Sequence, residues 1–125
     1  NVYEIYRFCS KVGNNVNGAA GKLLSHFIDV YKPNRIITYA DRRWGIGKLY
    51  EHIGFKYVST TSPSYWYFGR GNSYKRHHRF SYAKHRLSKK LKNYDPNQTE
   101  WENMKNNGYD RIWDCGNTKF ELKLS

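Results

Sequence analysis

Between Arg70 and Lys92 the sequence has no acidic residue, although nine Lys/Arg and three histidines fall there. Over all 125 residues the basic side chains outnumber the acidic ones 22 to 10, which leaves a net charge of +12. An imbalance of that size favours an anionic partner, and phosphate is the commonest. The remaining sequence carries only +3, so the charge is a local patch rather than a general property of the chain. Other absences narrow the field further. No run approaches the roughly 18 apolar residues needed to cross a membrane, and no signal-peptide pattern is present, so the chain reads as soluble with no membrane partner. Only two cysteines occur, Cys9 and Cys115, far apart and without metal-ligand spacing. They support neither a zinc site nor a disulfide scaffold and read as reduced thiols of an intracellular protein. Internal repeats are absent. The chain opens on Asn1 rather than methionine and reads as one domain cut from a larger protein.

Aromatic residues, by contrast, are abundant at 18%, with 12 Tyr and 4 Trp, and such rings either fill a core or stack on unpaired bases. Val2 to Cys9 alternates apolar and polar residues and predicts a strand. Asn17 predicts a helix cap, after which Ala20, Leu23, Leu24, Phe27, Ile28 and Tyr31 share one helical face that Pro33 ends. Arg35 to Ala40 predicts a second strand, parallel to the first through a right-handed crossover. A short helix over Gly47 to Ile53, then strands at Phe55 to Thr60 and Tyr65 to Phe68, complete an α/β unit over residues 1–68. Residues 69–125 differ in composition. A Gly69-Arg70-Gly71-Asn72-Ser73 linker predicts entry into a basic helix with a narrow apolar stripe of Phe80, Ala83, Leu87 and Leu91, broken by Pro96. Thr99 and Glu102 form a capping box for another short helix, and Tyr109 to Asp114 with Thr118 to Leu124 predict a β-hairpin around Cys115-Gly116-Asn117. The expected architecture is therefore α/β with a mixed sheet, its two parts packed as one domain.

The order of a strand, the turn Asn15 to Ala20, a helix, a second strand, and a helix ending in Tyr50-Glu51-His52-Ile53-Gly54-Phe55 resembles part of the GNAT acyltransferase core. In that family the Gly-rich turn offers backbone N–H groups to the pyrophosphate of coenzyme A. The resemblance implies Gly18, Ala20 and Gly21 as cofactor-binding positions for acetyl-CoA and Tyr50 as the acid that protonates the leaving thiolate. Asn15 departs from the Arg or Gln usual in the family, and the strands that precede this core there are absent from the chain. Close packing of the three small residues against the sheet, and of Tyr50 beside Phe55, is the alternative reading. Arg42, Gly45 and Gly47 form a rival glycine-containing turn before a helix.

A second resemblance covers nearly the whole chain. Thr38-Tyr39-Ala40-Asp41-Arg42-Arg43-Trp44, Leu49 to Phe55, Tyr65-Trp66-Tyr67, Gly108-Tyr109 and Trp113-Asp114-Cys115-Gly116-Asn117 look like the C-terminal domain of phage-encoded, homing-type endonucleases. The same pattern is similar to GNAT-like phage DNA-modification proteins. These resemblances imply DNA as partner, an upstream nuclease domain in the same parent chain, and the host cytoplasm as location, with no cofactor in this part.

Several residue groups then compete for function. Asp41 ends a parallel strand, where function concentrates in open α/β sheets. Either Asp41 caps the next turn and pairs with one arginine while Trp44 covers the core, or Asp41 is a catalytic candidate, Arg42 and Arg43 meet phosphates and Trp44 stacks a displaced base. Asp114, Glu121 and Lys123 follow the order of metal-dependent nucleases in which carboxylates hold Mg²⁺ and a lysine assists the attacking water, an arrangement that amphipathic hairpins also produce by chance. The patch itself supplies Arg70, Lys75, Arg76, His77, His78, Arg79, Lys84, Arg86, Lys89, Lys90 and Lys92 for DNA phosphates.

Overall fold

The computed structural model describes residues 1–69 and 71–125, with the side chains of 72–74 left aside. Arg70, one of the predicted phosphate contacts, lies outside the described residues. Among the described residues the chain is mixed α/β, with four α-helices and two sheets, one of them mixed. It divides into two compact units. The first comprises Asn1–Ser62 with Cys115–Ser125, and the second Pro63–Asp114. The division thus falls at Ser62 and again at Asp114, whereas the composition change suggested a single boundary after Phe68.

In the first unit β1 (Val2–Ile5), α1 (Ala19–Tyr31) and β2 (Arg35–Asp41) form the predicted crossover, with β1 parallel to β2 from Val2↔Arg35 to Ile5↔Thr38. Helix α2 (Lys48–His52) and β3 (Lys56–Thr60) follow. The sheet order is β1-β2-β7-β3, where β7 (Asn117–Lys123) lies antiparallel to both its neighbours. Period-2 alternation puts Ile36, Thr38, Phe120 and Leu122 on one face. There Leu24, Phe27 and Ile28 of α1 and Tyr50 and Ile53 from the α2 region close a core around buried Ile36, Phe55 and Phe120. Burying a side chain such as Phe120 contributes roughly 1.5–3 kcal/mol. The buried Thr38 hydroxyl is satisfied by donating to the Ile5 carbonyl at 3.1 Å. Gly47 precedes α2 at φ 80°, and a Cβ there would run into the Phe120 ring, so the glycine lets α2 sit down on β7.

The second unit contains β4 (Tyr65–Gly69), β5 (Asn72–His78), a 3₁₀ turn (Arg79–Tyr82), α3 (Lys84–Lys90), α4 (Glu100–Asn106) and β6 (Tyr109–Trp113). Its sheet is antiparallel in the order β5-β4-β6. Tyr67 points to the helices and packs with Leu87, Leu91 and Met104, while Tyr65, Tyr82, Tyr94, Trp101 and Tyr109 surround that core. Thr99 caps α4 with the predicted reciprocal box, its side chain accepting from Glu102 N–H while Glu102 accepts from Thr99 N–H.

Four expectations are corrected. The C-terminal strands form no hairpin: β6 pairs with β4 and β7 passes between β2 and β3. Alternation identifies which residues share a face, but not which strand they lie beside. For the same reason β4, expected to extend the first sheet, belongs to the second. The Gly69 to Ser73 linker is replaced by pairing of Gly69 with Asn72 across β4 and β5. The long basic helix is shortened to α3, because Asn72 to His78 pairs along β4 and a 3₁₀ turn intervenes. Smaller changes are the shorter β1 and the cap of α1, which is Gly18 at φ 73° without a side-chain bond rather than Asn17.

Candidate nucleic-acid interface

The basic segment of the second unit runs up edge strand β5, through the 3₁₀ turn and along α3. Lys75, Arg76, Lys84, Arg86, Lys89, Lys90 and Lys92 are exposed, and Arg79 is half-buried. They do not share one helix face. Pairing of His78 with Trp66 and His77 with Tyr67 puts Arg76 and His78 on the sheet face opposite the helices. Lys75 and His77 lie on the helix side, where they line a cleft of about 470 Å³ with Asn107, Gly108 and Tyr109. Leu87 and Leu91 anchor α3 to the core, which leaves its cations turned to solvent.

Among the described residues no cation from Lys75 to Lys92 has a carboxylate ion-pair partner, and the one ion pair is Arg35–Glu121, in the first unit. The second unit's acids have other partners. Pro63–Asp114 holds eleven Lys/Arg against five Asp/Glu. Glu100 accepts from the hydroxyls of Tyr67 at 2.7 Å and Tyr65 at 3.1 Å. Glu102 accepts from Thr99 N–H, Asp95 from Asn97 N–H, Asp110 from Arg111 N–H and Asp114 from Ser64 N–H. Each of these carboxylates thus has a hydrogen-bond partner at a cap, a turn or a tyrosine. Burial first, and then the Glu100 hydrogen bond, hold the Tyr67 phenol well above its ordinary range. Burial and a hydrogen bond with Tyr109 push Tyr82 up to about 12.

Aromatic rings adjoin these cations. Arg79 lies 5.0 Å from the Phe80 ring centre and 5.6 Å from that of Tyr65, and Lys90 lies 4.8 Å from that of Tyr82. Arg111 rests against Trp101, Tyr65 and Trp113, the closest contact being 4.2 Å to Trp101. Phe80, assigned by spacing to an apolar helix stripe, is 61% exposed in the 3₁₀ turn, and Trp66 is 37% exposed. Sequence reasoning missed both as surface rings. The signal available was the alternation Trp66-Tyr67-Phe68, in which Trp66 and Tyr67 must face opposite ways once Tyr67 is buried.

The first unit holds the other candidates. Asp41 accepts from Arg43 N–H at 2.9 Å, which fits the turn-cap reading. Trp44 does not cover the core: it is 78% exposed, with Arg43 4.7 Å from its ring centre. Arg42 and Arg43 are exposed beside it. Close packing does not explain Gly18 or Gly21, since a Cβ at either would meet nothing within 4 Å. Gly47 has a packing role against Phe120, and Gly45 has open space around it. Tyr50 packs between Phe55 and Phe120, at 5.9 and 5.8 Å between ring centres. It also lines, with Ala20, Leu23, Phe27, Tyr6 and Arg7, a largely apolar cavity of about 480 Å³. Glu121 faces Arg35 at 3.0 Å on β7, whereas Asp114 follows β6 in the second unit. The shared hairpin on which the Asp114, Glu121 and Lys123 nuclease reading rested is therefore absent. Cys9 and Cys115 are both free and exposed. Among the described residues no helix is long and apolar enough to cross a membrane, and no group of three His, Cys, Asp or Glu side chains is placed to hold a metal.

No protein-family model, curated protein or solved structure matches the chain.

Proposed function

We propose that this chain is a DNA-binding module whose second unit grips backbone phosphates through β5, the 3₁₀ turn and α3. The observation that carries the reading is the set of exposed cations from Lys75 to Lys92 without ion-pair partners, in a unit whose carboxylates are engaged elsewhere. Like charges gathered on one segment repel one another, and a polyanion relieves that repulsion while releasing its own counterions. Arg42, Arg43 and Trp44 add a second exposed basic and aromatic group on the first unit. The parent protein is in this proposal a phage or mobile-element endonuclease of homing type, with its nuclease domain elsewhere in the chain. The first unit is GNAT-like: the order β1, α1, β2, α2, β3 and the Tyr50 to Phe55 helix end support that likeness.

The cavity favours a second reading, a GNAT-type transferase acting on an acyl group or a DNA base. Its volume and apolar lining fit the arm of an acyl-CoA-like cofactor, with Arg7 available to a phosphate and Ala20 and Tyr50 on its wall. Fluorescence-anisotropy titration of the chain against a duplex and its single strand, with coenzyme A as competitor, separates the two. Tight, salt-sensitive DNA binding that coenzyme A leaves unchanged supports the module. Binding of coenzyme A without binding of either DNA form replaces it with the transferase.

A further inference from the structure

Duplex DNA hides the faces of its bases, so exposed rings beside phosphate-binding cations gain most from a strand whose bases are unpaired. The second unit presents such rings on and beside the sheet face opposite its helices. Trp66 on β4 meets His78 on β5 edge-on, with ring centres 4.8 Å apart, and His78 in turn lies 4.9 Å from Phe80. The Phe80 N–H donates to His78 Nδ1 at 3.3 Å, which helps to hold the imidazole between the two larger rings. Arg76 shares the His78 face by alternation, and Arg79 places its guanidinium over Phe80. Hydrophobic area this exposed is not part of either core cluster.

We propose that Trp66, His78 and Phe80 form a stacking surface for the bases of single-stranded DNA, whose phosphates Arg76 and Arg79 meet. This rests on the DNA-binding reading above and adds to it the form of DNA that is held. Every base offers a π-face, so such a surface reads strandedness and not sequence.

Anisotropy of the whole chain with three labelled probes tests it: a single strand of about ten nucleotides, within the site size of a small binding module, an abasic strand of the same length and charge, and the matching duplex. The base-bearing strand binds about tenfold or more tighter than the abasic one, the loss expected when one or two stacks are removed. Phe80→Ala, at an exposed turn position that spares the fold, lowers affinity for the base-bearing strand about tenfold without changing that for the abasic strand, and Phe80→Tyr restores it. Equal, salt-sensitive binding of all three probes, unaffected by Phe80→Ala, overturns the stacking surface and leaves the phosphate grip standing. Failure of every probe to bind overturns both.

Discussion

Replacing Tyr67 with Phe tests whether the second unit's acids are held where the structure puts them. Tyr67 is fully buried, and its hydroxyl donates to Glu100 at 2.7 Å. Phenylalanine keeps the ring and its contacts with Tyr65, Tyr82 and Trp101, so no cavity opens and the change isolates one hydrogen bond to a charged acceptor. Such a bond contributes about 1.5–3 kcal/mol, and retention of the Tyr65 donor to the same oxygen puts the expected loss near the lower end. The variant also changes the response to alkali. The folded state holds the Tyr67 phenol neutral far above its ordinary titration range, so the unfolded phenol loses its proton first as pH rises past about 10. The stabilisation is therefore complete below that pH and is lost above it, with a slope of about 1.4 kcal/mol per pH unit from this group. Tyr82, pushed up to about 12, adds its own loss between about pH 10 and 12 in both proteins. Urea denaturation followed by tryptophan fluorescence reports mainly on this unit, since Trp66, Trp101 and Trp113 lie in it. Tyr67→Phe is expected to be less stable at pH 7 and to have a flatter alkaline limb. Equal stability at pH 7 and an unchanged limb would refute the Tyr67–Glu100 account.

Two further substitutions test how the elements are fixed. Gly47→Ala forces a side chain into the Phe120 ring at a left-handed backbone position, and a loss of about 2–4 kcal/mol is expected in thermal unfolding; a melting temperature within a degree or so of wild type, a fraction of the several-degree shift that a loss of this size produces, contradicts that packing. Thr99→Ala removes the α4 cap at a cost of about 1 kcal/mol, read by chemical denaturation, and leaves DNA affinity unchanged. Loss of DNA binding in a folded Thr99→Ala protein would place the interface on α4 instead.

Much of the local structure was legible in the residues. Helix α1 with its inward Leu24, Phe27 and Ile28, the strand from Arg35, the Thr99–Glu102 box and the segregation of positive charge all follow from short-range spacing, although Leu23 and Tyr31 of the expected stripe are more than half exposed. Partner choice was not. Phe120 and Leu122 alternate as a hairpin strand would, yet the site where they pack lies between β2 and β3, more than fifty residues earlier. The segment from Tyr74 to Leu91 misled for a related reason. Phe80, Ala83, Leu87 and Leu91 fit a helical period, but pairing of His77 and His78 with β4 claims the start of that segment for a strand. Phe80 is thereby released to the surface, and the sequence offered no local sign of it.

The central claim is tested most directly by the salt dependence of DNA binding in the wild type and in the Arg76→Glu, Lys89→Glu double variant, with circular dichroism confirming that both are folded. If about five of the exposed cations meet phosphates, log affinity for duplex falls with log salt at a slope of about −4.5. The double variant then binds far more weakly, with the slope flattened by about 2. An affinity that ignores salt, or that survives both charge reversals intact, would contradict the phosphate grip.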